Sequence, residues 1–586
     1  MRLFIAEKPS LAKAIASGFG GGAQRSGYIE LSSGDVVSWC YGHLLENLKP
    51  EEYDRKWSSW DLSTLPITVS EWRLKPRKDA EKQLKVLGEL IKRAKVVVNA
   101  GDPDREGQLL VDEVLEYYGW SGKTQRLLLN ATDSASVAKA MSSMRENSEF
   151  KNLSAAALCR SQADWLVGMN LSRAATKTFG RDKVVSVGRV QTPTLALVVR
   201  RDLEIENFKA QTFYTLVANV KTAGGTVKME HAPKEDRILD AKVAESVAAS
   251  LKGKNVALAV ECKKSREMAP SPYMLATFQK DAEKFLSLGA QESLNTLQQL
   301  YEAQLTSYPR TDHDRLPPEQ AGAAVKIANA VIAAGYVKEA KGLIPLMQPN
   351  KRIYSLPKDA EHHGLIPTGK VPGSDISAKL LKAYELVCKR FVLGLLPDYE
   401  YEETTASFVH EKRKFGCSGE VPLNAAKSWR ALEPKKTKAL ALSGSPKEGK
   451  VLGVEVKAGE TTPPKPYTEA SLIADMRSVA KFVTDPKLKA ILKDTSGIGT
   501  AATQAGTIEA LKKREMIMVD KKTLTSTKFG RHVIAKMPKA MTDPGVTAAW
   551  EDALGMIAAG KYQPQDFMVR TGLFVAGQLA RMRGVR

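Results

Sequence analysis

Residues 102 to 106 read Asp-Pro-Asp-Arg-Glu, three carboxylates within five positions of a 586-residue chain whose formal net charge is +21. Acids at alternate positions offer hard oxygen ligands to a divalent cation such as Mg²⁺, which keeps several waters and readily touches phosphate as well. A second acid–base pair, Glu7-Lys8, follows the first apolar run, Leu3-Phe4-Ile5. Far along the chain, Tyr308-Pro309-Arg310 sets a phenol beside a guanidinium. Pro309 drives Tyr308 toward extended backbone, so residues 308 and 310 share a face. A phenol is a weak nucleophile at its usual pKa of about 10, and nearby positive charge is what would arm it against phosphate. Taken singly, each motif has a plainer reading. Acids favour a solvated helix N-terminus, and a Tyr-Pro-Arg triplet can be a satisfied surface tyrosine.

The elements that must position these residues are legible as pattern. Lys95–Gly101 reads as a short buried strand and Gly107–Tyr118 as a helix, so the acids sit at a strand-to-helix turn, where open α/β sheets bind ligands. Leu3–Ile5, a helix from Ser10 to Phe19, a strand from Asp35 to Trp39 and a helix from Arg77 to Ala94 extend the alternation. This predicts an α/β domain over residues 1–148 with a mainly parallel, Rossmann-like sheet. Glu7 and Asp102 then leave parallel strands at one edge. Residues 149–207 are helical in pattern, whereas 208–270 and 397–432 hold short alternating β runs. The helical block 271–396 lies between those runs, which implies a β domain crossed twice by the chain. Residues 433–466, rich in Lys, Gly, Ser and Pro, read as a linker or loop-rich crossing. Helices and a short winged β element, Met516 to Thr527, close the chain, and this groups 433–586 with 149–207.

The basic excess suits a polyanion. Cys40, Cys159, Cys262, Cys388 and Cys417 contain no Cys-x-x-Cys pair, which argues against a disulfide scaffold and a zinc ribbon and fits a reducing cytoplasm. Met1–Ala6 meets acid at once and lacks a signal-peptide core, and no apolar run approaches the roughly 18 residues of a membrane span. A cytoplasmic protein without membrane contact is expected. Ser121-Gly122-Lys123-Thr124 imitates the end of a phosphate-binding loop, but Tyr117 stands at its first glycine position, so no ATP dependence is expected. Gly18–Ala23 loosely resembles a dinucleotide fingerprint, yet it follows a helix and reads as a loop.

Ala6-Glu7-Lys8-Pro9-Ser10 with the acidic pentad resembles the Toprim domain shared by topoisomerases, some primases and some nucleases. The resemblance implies acid–base work for Glu7 and Mg²⁺ binding, one ion or two, by Glu7, Asp102, Asp104 and Glu106. That match alone leaves the reaction open. Ser307–Asp312 resembles the nucleophile motif of type IA DNA topoisomerases, and its flanks do too: Pro272-Tyr273, Leu297–Glu302 and Glu361–Thr368. Gly42-His43-Leu44, Trp57–Pro66, Gly497–Thr500, and Trp550-Glu551 with Phe567-Met568 fit the branch called bacterial topoisomerase III.

The family implies a toroidal enzyme of four domains in which Tyr308 attacks a backbone phosphate and forms a 5′-phosphotyrosine. Lys8, Arg310 and His362 would assist, with neither ATP nor zinc, and the outcome would be relaxation of negative supercoils or decatenation. Ser186-Val187-Gly188-Arg189-Val190-Gln191, with Ser172, Arg173, Arg181 and Arg160, resembles the family's groove for single-stranded DNA. Its arginines would hold phosphates, and Gln191 and Ser172 would hydrogen-bond. Trp60 either stacks on a base or packs in a core beside Leu62 and Leu65. Departures from the pattern are Gln162 and Gln504 where arginines are common, Ala501 after the Gly497–Thr500 turn, Gly364 for a usual Ala, a short 222–240 segment, and no basic extension after Arg586. The implied partners are single-stranded DNA and negatively supercoiled or catenated DNA, met by a monomer working with a helicase or a single-strand-binding protein. A Toprim nuclease or primase and a catalytically silent single-strand-binding protein are the alternative classes.

Overall fold

The computed structural model describes residues 1–129, 134–180, 182–357, 360, 362–440, 442, 444–494 and 497–584. Arg181 and Glu361 lie outside them.

In the first strand, Arg2–Ala6, side chains alternate between two faces, and both faces are covered. Phe4 and Ala6 pack with Leu11, Ala12 and Ile15 of the helix Pro9–Gly18. Leu3 and Ile5 pack against Leu84, Leu87 and Ile91 of the helix Glu81–Arg93 and Val111 and Val114 of the helix Arg105–Tyr117. Apolar side chains three and four residues apart give each helix one buried stripe. The result is a three-layer α/β/α unit. Its sheet runs Gly22–Arg25, Tyr28–Leu31, Val36–Trp39, Arg2–Ala6, Val96–Ala100, Lys123–Arg126, Arg145–Glu146. The four strands from Val36–Trp39 to Lys123–Arg126 are parallel, as a Rossmann-like sheet requires, and antiparallel strands close both edges. Gly22 and Ala23, read from sequence as loop, belong to the edge strand Gly22–Arg25.

A second sheet is antiparallel throughout: Asn255–Ala257, Glu448–Glu460, Thr212–Thr222, Gly225–His231, Arg413–Pro422, Tyr399–His410, Ala259–Glu267. Its apolar face closes over the helix Ala241–Leu251. This corrects the reading of 433–466 as linker. Glu448–Glu460 is a 13-residue strand paired along Thr212–Thr222, so that stretch is part of the β sheet and not of the C-terminal helical group. Its Lys and Gly content hid an interior strand because Val451 alone among its side chains is fully buried, and the pairing partner lies more than 200 positions away.

Two helical cores complete the fold. One gathers the 29-residue helix Lys151–Phe179, Gln191–Glu206, Pro544–Ala558 and Pro564–Arg583, with the hairpin Ile517–Asp520/Thr523–Ser526 on its flank. The other gathers Leu275–Phe285, Ala290–Glu302, Ala321–Ala333 and Ala378–Leu395.

The acidic turn itself demands two glycines because strand end and helix start nearly touch. A Cβ on Gly101 would lie 2.0 Å from the Gly107 carbonyl oxygen, and one on Gly107 would lie 2.4 Å from the Asp102 carbonyl oxygen. Gly107→Ala should therefore destabilise the protein by about 1–3 kcal/mol, the scale of overpacking. Gly555→Ala, which meets nothing within 4 Å, should not lower Tm. Thermal denaturation of the two variants checks this.

Candidate active site

Ala6 pairs with Ala100, so Glu7 and Asp102 emerge from neighbouring parallel strands at one edge. The Asp102 N–H donates to Glu7 Oε2 at 3.2 Å, and Lys8 Nζ donates to Asp102 Oδ2 at 2.7 Å. Asp104 caps the following helix by accepting from the Gly107 N–H at 2.5 Å. The wholly buried Arg126 braces the turn: Nη1 donates to the Gly101 carbonyl at 2.7 Å and Nη2 to the Asp102 carbonyl at 2.6 Å. Burial pushes its pKa down to about 10. Sequence reasoning missed Arg126. The available signal was a cation ending the run Lys123–Arg126 just before the apolar Leu127-Leu128-Leu129.

Burial, and then the charge of Asp102, push the Glu7 carboxyl up to about 7 against the pull of Lys8. Burial also raises Asp104; the Gly107 N–H opposes it and Asp102 adds to it. Burial acts to lower Lys8, but Asp102, Tyr308 and Glu7 outweigh it and hold the ammonium above its ordinary range. Glu106 is engaged differently. It lies 3.5 Å from Arg160 Nη1 and 3.7 Å from His43 Nε2, while His43 Nδ1 meets Glu113 at 2.9 Å. Burial disfavours charge on both, yet His43 and Arg160 keep Glu106 below its ordinary value, and Glu106 and Glu113 hold His43 at about 10. Carboxylates crowded enough to raise Glu7 suit a hard divalent cation by donor type. In the arrangement drawn here Asp102 is matched by Lys8 and Asp104 by the helix start. Among the described residues, no three potential ligands converge in metal-binding geometry.

Tyr308 arrives from the second helical core. Ser307 donates its N–H to the Ile366 carbonyl at 2.9 Å, and its Oγ accepts the Ile366 N–H at 2.9 Å, which ties the Tyr308 segment to the segment containing His362. Gly364 makes this packing tight: a Cβ there would stand 3.1 Å from Pro272 Cβ. Lys8 Nζ lies 4.0 Å from the Tyr308 ring centre, the His362 ring is 4.5 Å away, and Tyr301 meets the ring edge-on at 5.4 Å. Burial raises the Tyr308 phenol, and Lys8 leads the opposing pull, with Arg310 behind it. Burial pushes His362 down to about 4, so its ring is neutral near pH 7, with Nε2 3.8 Å from Asp102. Arg310 is exposed and has no ion pair among the described residues, whereas Asp312 is paired with Arg477. Glu7, Asp102, Asp104, Glu106, Tyr308, Arg310 and His362 together line one cleft of ≈ 590 Å³, and Arg160 forms part of its wall.

The remaining expected groove residues lie off the walls of that cleft. Ser172 Oγ accepts the Val187 N–H at 2.9 Å, Ser186 Oγ donates to Gln191 Oε1 at 3.0 Å, and the Gly188 N–H donates to Thr192 Oγ1 at 3.1 Å. Val190 packs on the helical core. Two arginines expected to hold phosphates have internal partners in this state. Arg173, 4 % exposed, donates to the Trp57 carbonyl at 2.6 Å and covers the Trp60 ring. Arg189, 5 % exposed, is locked by Asp164 at 2.6 Å and Glu551 at 3.3 Å, and Glu551 also holds Arg105 at 2.5 Å. Both guanidiniums are spent on internal partners in this state. Burial opposes charge on Glu551, but Arg105, Arg160 and Arg189 bring it down to about 2. Gln504 donates to the Ile498 carbonyl at 3.1 Å, bracing the Gly497–Thr500 turn on the cleft wall.

The profile of a family described as DNA topoisomerase matches residues 148–569, and that of the Toprim domain matches residues 2–139. DNA topoisomerase 3 of Pasteurella multocida is 37 % identical over 97 % of this chain and 93 % of its own length. The chain belongs to the DNA topoisomerase family. The enzyme of the same name from Vibrio cholerae is 37 % identical over 97 % of this chain and 92 % of its own. The full-length topoisomerase I of Thermotoga maritima shares the fold, with a TM-score of 0.68 and 22 % identity over 99 % of this chain and 90 % of that one. The protein is thus a type IA DNA topoisomerase, an isomerase that breaks, passes and reseals DNA strands. Toprim domains generally bind Mg²⁺, and type IA topoisomerases act on DNA, particularly its single-stranded regions, without ATP. No helix among the described residues is long and apolar enough to cross a membrane.

The raised pKa of Glu7 in this topoisomerase has a measurable sign. The carboxyl binds its proton more tightly folded than unfolded, so its contribution to stability is full below about pH 4.5 and is lost as pH rises through about 7. Without divalent cations, the Tm of Glu7→Gln minus that of wild type should grow across that window and then level off. A difference that stays flat with pH would contradict the assignment.

Proposed function

We propose that Tyr308 is the nucleophile of strand cleavage, with Glu7 as the proton donor to the leaving oxygen. As its proton leaves to solvent, the phenolic oxygen of Tyr308 bonds to a backbone phosphorus, the bond to the 3′-oxygen breaks, and that oxygen takes the Glu7 proton. The observation that carries this reading is the convergence of Tyr308 and Glu7, from segments 300 residues apart, in one acid-lined cleft, with the Lys8 ammonium 4.0 Å from the Tyr308 ring centre. A carboxyl at about 7 is still partly protonated near neutral pH and so can serve as acid and, in resealing, as base. Lys8 opposes the rise of the Tyr308 pKa and places a cation beside the developing charge. The neutral His362 ring orients Tyr308, and the unpaired Arg310 offers its guanidinium to the phosphate.

Asp102, Asp104 and Glu106 are the residues that would hold Mg²⁺, as one ion or two, and Glu7 would join them only in its ionised form, after its proton has been given up. When bound it supplies positive charge next to the scissile phosphate. Because the phosphotyrosine conserves the energy of the broken bond, resealing needs no ATP. Arg160 on the cleft wall is the groove arginine best placed for a phosphate, while Arg173 and Arg189 shape the groove from behind. The net charge of +21 supports DNA as the partner. The enzyme acts as a cytoplasmic monomer on negatively supercoiled or catenated DNA, at single strands exposed by a helicase or by single-strand-binding protein.

Incubation with negatively supercoiled plasmid, Mg²⁺ and no ATP should yield stepwise relaxation and a protein linked to the 5′ end. EDTA should abolish it. Tyr308→Phe should reduce both products to background while retaining single-strand binding. A Tyr308→Phe enzyme that still cuts DNA would point to a Toprim nuclease instead.

A further inference from the structure

Tyr308, His362 and Asp102 border two cavities, and Lys8 lines the second of them. One is the acid-lined cleft; the other, ≈ 750 Å³, lies behind the nucleophile and reaches between the second helical core and the first domain. Its walls carry the rings of Tyr301, Tyr354 and Phe391, together with Thr306 and Gln320. A partly aromatic wall, in a cavity within the usual ligand-site range of about 300–1,000 Å³, suits a flat heteroaromatic ring.

The connectivity of the reaction selects which ring. Cleavage leaves the 5′-phosphate on Tyr308, so the nucleotide carrying that phosphate travels with the tyrosine. Most of the cavity wall comes from residues 301–391, the same body as Tyr308, and a minority, Leu11 and Leu129 among them, comes from the first domain. A base seated there stays with the covalent end when the two bodies part, whereas the 3′-hydroxyl end is left on the acid-lined side. We propose that this cavity is a nucleobase subsite for the first nucleotide downstream of the break, the one whose 5′-phosphate joins Tyr308. The assignment rests on the proposed role of Tyr308. Stacking on the Tyr301 ring supplies affinity, and Tyr354 and Phe391 contribute to the apolar wall. The subsite secures the free end against loss during strand passage.

The test uses the full chain with Mg²⁺ and short single-stranded oligonucleotides containing one cleavage position, scored as covalent protein–DNA product. An abasic residue immediately downstream of that position should lower the cleaved fraction by about tenfold, the scale of one lost base–aromatic stack. An abasic residue immediately upstream should change it much less. Ala323→Trp, which fills the cavity from its exposed rim, should bring the ratio between base-bearing and abasic substrates close to one. Equal cleavage of base-bearing and downstream-abasic substrates by wild type would overturn the subsite and leave the nucleophile standing. So would a larger effect upstream, or an unchanged ratio in a folded Ala323→Trp enzyme. Absence of covalent product on every oligonucleotide would overturn the Tyr308 assignment and the subsite with it.

Discussion

Carboxylates crowded at one edge of a parallel sheet, and the single ammonium that answers them, govern the rest of the site. Asp102 is 5 % exposed, and Lys8 reaches it at 2.7 Å from the adjacent strand. A buried charge left without such a partner costs several kcal/mol, so the turn and the lysine must be built together. Arg126 fixes the turn from beneath through its carbonyls, and the two glycines let strand and helix close on each other. Glu7, next in line, holds its proton up to about pH 7 because burial, and then the same crowding, disfavour another negative charge.

The same ammonium links the first domain to the distant tyrosine. Lys8 sits over the Tyr308 ring while bound to Asp102, so one cation serves the acid cluster and the proposed nucleophile at once. The basic surplus of the chain is a different matter. Much of the arginine expected along the DNA groove is already committed, Arg189 to Asp164 and Glu551 and Arg173 to a backbone carbonyl. Net charge therefore describes attraction of a polyanion over distance, and it does not say which cations remain without an internal partner; among the described residues Arg310 has no ion pair.

How much was legible varied with the range of the interaction. The parallel core of the first domain, the helix after the acids and the hairpin near Met516 followed from periodicities that a dozen neighbouring residues express. Glu448–Glu460 did not, because a largely polar strand is recognised by its partners and those lie hundreds of positions away. Likewise, Tyr308 and His362 could be named as candidates, but their ring contact depends on a bridge between Ser307 and Ile366 that no local pattern encodes. Arg126 went unnoticed because a lone arginine at a strand end looks like a surface residue until its burial is known.

By itself the sequence determined the element types, the acidic turn after a buried strand, the tyrosine beside an arginine and, through their combination, the family. These are properties of residue type at short spacing, which backbone geometry converts directly into local structure. Tertiary structure alone decided which arginines are spent on internal partners, which carboxyl keeps its proton, and that an aromatic cavity lies behind the nucleophile. Charge state and partner choice depend on burial and on what folds alongside from distant parts of the chain, and neither is written in spacing.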